Sequence, residues 1–183
     1  MFKLTGALCL IFGFALLASE PAMVEPKFTA GNELVRPTGY HEWIFLGSSL
    51  GMGYQRSGGS NDEPTFHNVY TQPGAYRAYL KTGKFPDKTI MILELMTAGA
   101  NASINKQGHF EDRLIGIEAS VKDVNRFPEK WAYFNFIGND RKPLVQSKAF
   151  AKQTCWSCHD EHAAVDNVFE QFYPVLREAK QKQ

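Results

Sequence analysis

The chain has 183 residues, 44% of them hydrophobic and 13% aromatic, which is enough apolar material for one ordinary domain with a core of its own. Its 20 Lys and Arg stand against 19 Asp and Glu, a net charge of +1 with no long block of either sign. That balance argues against nucleic acid as a partner.

The N-terminus reads MFKLTGALCLIFGFALLASEPA. Lys3 supplies a positive start, and Leu4 to Ala18 is an almost unbroken apolar run. The run is shorter than the ~20 residues a membrane-spanning helix needs. Residues 1–22 therefore read as an export signal rather than an uncleaved anchor, and the expected location is the periplasm. No clean Ala-x-Ala marks the cut, which is expected between Ala18 and Met23 and leaves roughly 160 residues. No later stretch is long and apolar enough to span a membrane. Cys9 lacks the flanking pattern of a lipid-modified cysteine and leaves with the signal, so Cys155 and Cys158 remain.

Residues 23–36 read as an N-terminal linker and 37–183 as a single domain. Pro37 to Trp43 predicts a short helix, leading into a strand around Ile44 to Ser48. GMGYQRSGGSNDEP is rich in Gly, Ser and Asn and reads as a loop. TFHNVYTQ predicts a strand. PGAYRAYLKTGKFPD opens with Pro73 and closes with Gly83, the start and stop signals of a helix. KTIMILELMTAG, RLIGIEASVKD (with Gly116 inside it) and the aromatic WAYFNFIG predict three more strands. Period-two alternation puts Met91, Leu93 and Leu95 on one face of the first of these, with Ile92 and Glu94 on the other.

Near the C-terminus the chain reads TCWSCHDEHAAVDNVFEQFYP. Cys155, Cys158 and His159 form C-x-x-C-H, the attachment signature of c-type haem. The chemistry explains the spacing. Each thiol reaches one vinyl group of the porphyrin to form a thioether, and the adjacent His supplies the proximal iron ligand. Three alternatives are weaker. A redox dithiol is expected at the start of a helix within a βαβ unit, and none follows here. Structural zinc wants four ligands, and Cys155, Cys158 and His162 make three. A plain disulfide leaves His159 unexplained. Val165, Val168, Phe169, Phe172 and Leu176 recur at helical spacing, so one helix is predicted from near Cys155 to about Lys180, kinked at Pro174. Most of that stripe is expected to be core packing, and His162 to lie at the surface or behind the ligands.

The expected architecture is α+β: a mainly antiparallel β-sheet with two or three helices, the haem-binding helix C-terminal. Four-helix haem bundles are excluded, because they need long helical periodicity throughout.

The segments GYHEW, NVYTQPGAY, LKTGKFPD, GIEASVKD and CWSCHDEHAAVDNVFEQFYPVLR together resemble the cytochrome P-460 family, which includes cytochrome c′-beta. The likeness runs from about Tyr40 to Lys180, and the last two segments are the specific ones. It implies one covalently attached haem c, an open distal face, export, and commonly a homodimer. In one branch a lysine bonds to the porphyrin edge and the protein oxidises hydroxylamine. In the other the lysine is missing and the haem binds nitric oxide in a crowded apolar pocket. At the matching position this chain has Leu93, which carries no nucleophilic atom, so the resemblance is closer to the second branch. Lys84 and Lys88 precede the strand.

The resemblance also singles out Glu118, at the position of a distal glutamate thought to accept substrate protons, and His67, where the oxidising branch has an arginine. A strand glutamate is costly to bury unpaired, and desolvation would raise its pKa toward proton transfer. A structural Glu bonded to a backbone or basic partner is the other reading. His67 is either a distal hydrogen-bond donor or a rim histidine. Phe45, Phe66, Phe134 and Phe136 are candidates for the aromatic caps of the nitric-oxide-binding branch. Three functions follow as expectations: a five-coordinate haem that binds nitric oxide or a similar nitrogen oxide; a hydroxylamine-oxidising enzyme with Glu118 as proton acceptor; or a six-coordinate electron carrier, paired with a redox partner cytochrome, whose sixth ligand is Met52, Met91, Met96 or His109.

Overall fold

The computed structural model describes residues 23–53, 64–100, 102, 104 and 106–181. The predicted signal segment, with Cys9, lies outside them. In chain order the elements are β1 (Leu34–Val35), a 3₁₀ turn at Tyr40–Glu42, β2 (Ile44–Leu50), β3 (Thr65–Thr71), α1 (Pro73–Thr82), β4 (Ile90–Gly99), β5 (Phe110–Lys122), β6 (Trp131–Asn135), β7 (Gln146–Ser147), α2 (Trp156–His162), a second 3₁₀ turn at Glu170–Phe172 and α3 (Pro174–Lys180). The fold is α+β, as expected.

Strands β2 to β6 form one antiparallel sheet in sequence order, and β1 pairs with β7 in a small second sheet. Adjacent strands in such an order need only local connections. The one helix inserted between neighbours, α1, starts at Pro73 and stops at Gly83, whose φ of 67° lets its N–H close onto the Tyr79 carbonyl at 2.8 Å.

Residues directly opposite on antiparallel strands share a face. Val69, Leu93 and Glu118 make one such row, His67, Leu95 and Gly116 the next toward one end, and Thr71, Met91, Ser120 and Tyr133 the next toward the other. This face packs on α1, α2 and α3 through Tyr79, Phe85, Met91, Trp131 and Leu176. The opposite face carries Ile92, Ala119 and Phe134 and is covered by Phe28, Leu34 and Tyr40. Glu94 points to that second face, where it accepts hydrogen bonds from Tyr40 Oη (2.6 Å) and His41 Nε2 (3.0 Å).

Several expectations need correcting. Segment 23–36 does not run free as a linker. Leu34 is fully buried, β1 is hydrogen-bonded to β7, Phe28 packs edge-on against Phe127 at 5.9 Å, and the Gln72 amide donates to the Val24 carbonyl. The helix expected over Pro37 to Trp43 is a single 3₁₀ turn, and β2 runs on to Leu50. The long C-terminal helix is two short ones. The break lies at Asp166 and Asn167, whose φ angles of 47° and 59° are left-handed. Val165 and Val168 pair across them (Val168 N to Val165 O, 2.8 Å), which makes a tight turn of the kind that requires positive φ at both central positions.

Candidate functional site

A cavity of about 320 Å³ lies between the sheet face and the C-terminal segments. That is the size of a small-molecule site. The sheet contributes His67, Val69, Met91, Leu93, Glu118 and Tyr133; the C-terminal part contributes Cys158, His159, Asn167, Phe169 and Phe172. Five of the six residues singled out in the sequence thus meet at one cavity. The sixth, Cys155, caps the start of α2 and packs into the adjoining core.

His159 is held on every side. Its Nδ1–H donates to the Asn167 carbonyl at 2.8 Å, and its ring lies 4.3 Å from Tyr133 and 4.5 Å from Phe169, between centroids. Burial pushes its pKa below the usual histidine value, against the opposing pull of that bond. The imidazole is therefore neutral near pH 7. With Nδ1 protonated, Nε2 keeps its lone pair, the arrangement seen at metal-bound histidines.

Cys155 and Cys158 are both unpaired thiols. Burial, with smaller contributions from Glu118 and Cys158, pushes the Cys155 thiol up to about 11. A redox dithiol needs a depressed pKa, so this site is the reverse of one. The zinc reading also loses its ligand set: among the described residues no three His, Cys, Asp or Glu side chains converge to hold an ion. One more atom asks for a partner. The Asn167 Nδ2 group is buried at the cavity wall with no acceptor among the described residues, and a buried donor left so wants one from whatever fills the space. One thiol, a neutral imidazole and an unmet donor at an apolar cavity, with the second thiol in the adjoining core three residues before the first, fit a covalently held haem.

On the facing wall Leu93 is half-buried and offers only hydrocarbon. Glu118 stands directly opposite it on β5. Burial raises the Glu118 pKa, and its carboxylate has no hydrogen-bond or ion-pair partner among the described residues. The reading of Glu118 as a structural, bonded carboxylate therefore has nothing to support it. His67 lies further along the wall, where burial lowers its pKa and Nε2 is 3.1 Å from Thr65 Oγ1.

The phenylalanine candidates do not reach the cavity. Phe134 and Phe136 are buried in the core behind the sheet, Phe45 packs on Tyr70 at 5.4 Å on that same side, and Phe66 alternates with His67 and so faces away. The phenylalanines at the cavity are Phe169 and Phe172, stacked 5.7 Å apart beside His159. Of the sulfur and imidazole candidates for a sixth ligand, Met52 and Met91 line the cavity; Met96 and His109 do not. His162 also lines it, with its side chain 59% exposed. Sequence reasoning missed Tyr133 and the Asp166–Asn167 turn. The turn had a local signal, two residues that tolerate left-handed backbone set between two valines.

Among the described residues no helix is long and apolar enough to cross a membrane. No curated protein matches this chain. The family model for Cytochrome P460 matches residues 37–170, which begins at Pro37 and takes in the whole five-stranded sheet, the Cys-x-x-Cys-His motif and the turn behind it. With most of its length and nearly all of its cavity lining inside that match, Phe172 and Tyr173 alone lying beyond it, the chain belongs to the Cytochrome P460 family and is a haem-binding cytochrome.

Proposed function

We propose that the chain carries one haem c, thioether-linked through Cys155 and Cys158 and ligated by His159, with an iron that is five-coordinate and open to nitric oxide or a similar small nitrogen oxide. The observation that carries this reading is the pairing of two walls. One holds a neutral imidazole with Nε2 free to bind a metal; the other, at Leu93, is apolar and offers no ligand and no nucleophile. When bound, the haem supplies the iron that takes the gas. The protein's own residues do the rest: Asn167 and the two flanking aromatic rings orient His159, and Leu93 and Val69 keep the distal side dry. A half-open apolar pocket favours a small uncharged ligand over an anion. Export follows from the N-terminal segment, since this attachment is made outside the bacterial cytoplasm. A homodimer and a redox partner cytochrome are part of the same proposal and rest on the resemblance.

Absorption spectra of the purified protein, ferric and dithionite-reduced, with and without nitric oxide, test the reading. A high-spin spectrum with an ordinary Soret band that shifts on nitric oxide is expected. A low-spin spectrum in both oxidation states would instead mean a sixth protein ligand, with Met52 and Met91 the residues to examine. Protein lacking the added mass of haem would end the haem reading.

One observation favours a second reading. Glu118 is half-buried, has no hydrogen-bond or ion-pair partner among the described residues, and lies beside the space where a ligand would sit. Such a carboxylate takes up a substrate proton readily. Oxidation of hydroxylamine, with electrons passing to an external acceptor, uses a group of that kind. Reduction of an added acceptor on supplying hydroxylamine, lost in Glu118→Gln, would promote this reading above the first.

A further inference from the structure

The carbonyl that receives the His159 proton belongs to Asn167, in a turn whose backbone is left-handed at two successive non-glycine residues. Such a turn persists only where its surroundings hold it. The hold is on the preceding residue. Asp166 Oδ2 lies 2.5 Å from Lys122 Nζ, and Asp166 Oδ1 accepts from Trp131 Nε1 at 3.3 Å. Lys122 is itself anchored, donating to the Phe85 carbonyl at 2.8 Å, and its side chain is only 13% exposed. Trp131 is buried. Both carboxylate oxygens are thus tied, one to the last residue of β5 and one to the first residue of β6, and the clamp fixes where the next carbonyl points.

We infer that Asp166, clamped by Lys122 and Trp131, is a positioning residue for the proximal ligand: it sets the strength of the His159–Asn167 hydrogen bond and through it the electron donation of Nε2 to a bound metal. The logic is that of outer-shell partners generally. A firmly placed acceptor draws the Nδ1 proton and makes the opposite nitrogen a stronger donor, while a loosened one weakens it. A half-buried ion pair holds a backbone turn more firmly than an exposed one, because solvent screens it less. Tyr133 Oη approaches the same carbonyl at 3.4 Å, too long to compete while His159 is in place. This inference rests on the reading of His159 as iron ligand and adds the residues that tune it.

The experiment uses haem-loaded protein. Wild type, Asp166→Asn, Lys122→Met and Lys122→Arg are compared by resonance Raman of the reduced form and by redox titration. Glu170→Gln serves as control; it loosens the C-terminal segment elsewhere, at the buried carboxylate bound by Tyr79 and Lys180. Asp166→Asn and Lys122→Met are expected to shift the iron–histidine stretch to lower frequency and raise the midpoint potential. Lys122→Arg should restore most of both, and Glu170→Gln should lower the melting temperature while moving neither. An unchanged stretch and potential in Asp166→Asn would overturn the inference. So would an equal shift in Glu170→Gln, which would make the effect one of general loosening. If Asp166→Asn does not load haem, Lys122→Met decides by the same readouts. A wild-type protein with no five-coordinate reduced state would overturn the open-site reading alone, and the potentials would then carry the test.

Discussion

Leu93 and Glu118 are direct cross-strand partners on β4 and β5, and both face the cavity opposite His159. An apolar side chain and a carboxyl with no partner among the described residues thus stand side by side on the wall a bound gas or substrate would meet. The balance between the two proposed functions turns on this pair.

Replacing Leu93 with Ala should open the pocket without removing any polar group. Because Leu93 is only half-buried, the stability loss should fall at or below the lower end of the range for buried leucine, about 2 kcal/mol. Nitric oxide should associate faster with the reduced variant than with wild type in stopped-flow mixing. An unchanged rate would mean that Leu93 does not stand over the ligand site.

Glu118 has its folded pKa raised above the ordinary carboxyl value by burial. Its protonated form favours the fold, so the contribution is fully present below the unfolded pKa and is lost as pH rises through the folded one. Glu118→Gln removes that loss. Wild type and variant should melt together below about pH 4.5, the ordinary value. The variant should then gain on wild type as pH rises, reaching a constant advantage once the pH is above the folded pKa. Melting curves across that range test it, and a variant less stable at pH 7 would mean that the carboxylate has a partner in the haem-loaded protein.

How much of this was legible in the sequence depended on whether the cause was local. The strands around Leu93, Glu118 and Tyr133 announced themselves by alternation and β-branched or aromatic content, and α1 by Pro73 and Gly83. Cys155, Cys158 and His159 formed a motif whose spacing is dictated by its chemistry. The failures had long-range causes. Leu34 is buried because β1 finds β7, more than a hundred residues later in the chain, and nothing within 23–36 announces that pairing. Val165, Phe169, Phe172 and Leu176 keep helical spacing, yet they belong to a turn, a 3₁₀ segment and a separate helix, because the left-handed backbone at Asp166 and Asn167 breaks the axis: Leu176 reaches the core while Phe172 stays exposed. The phenylalanines were misassigned because aromatic identity says nothing about which face of a strand is the cavity face.

The C-terminal helix is docked by one buried acid. Glu170 accepts from the Tyr79 hydroxyl and pairs with Lys180 Nζ at 2.6 Å. Lys180 is more than half exposed, so solvent screens that pair and the bond from Tyr79 counts for more. Glu170→Ala should cost about 2 kcal/mol, the scale of a lost buried hydrogen bond to a charged group. Denaturant unfolding measures it. Lys180→Ala should cost well under half as much, and the reverse ranking would mean that the ion pair, not the tyrosine bond, seats the helix.

Gly116 allows Leu95 to lie where it does. A Cβ at Gly116 would sit 2.6 Å from Leu95 Cδ1 and 2.9 Å from Leu95 Cβ. Those separations are below contact distance, and the second cannot be relieved by turning the end of the leucine side chain. The strands must part or slip, at a place where β5 already carries Ile115 as an extra, unpaired residue between Gly116 and Leu114. Gly116→Ala should therefore destabilise by about 1–3 kcal/mol, the cost of overpacking. It should also disturb the cavity one row from Glu118 and Leu93, on the side where His67 stands. Two outcomes separate packing from pocket shape. Loss of stability with an unchanged nitric oxide association rate would confine Gly116 to strand packing. Loss of both, with the rate recovered in the double variant Gly116→Ala, Leu95→Ala, would make the close approach of Leu95 part of the wall that governs ligand entry. The second outcome is expected, because in the antiparallel ladder Leu95 and Gly116 present the same face as the residues that line the cavity.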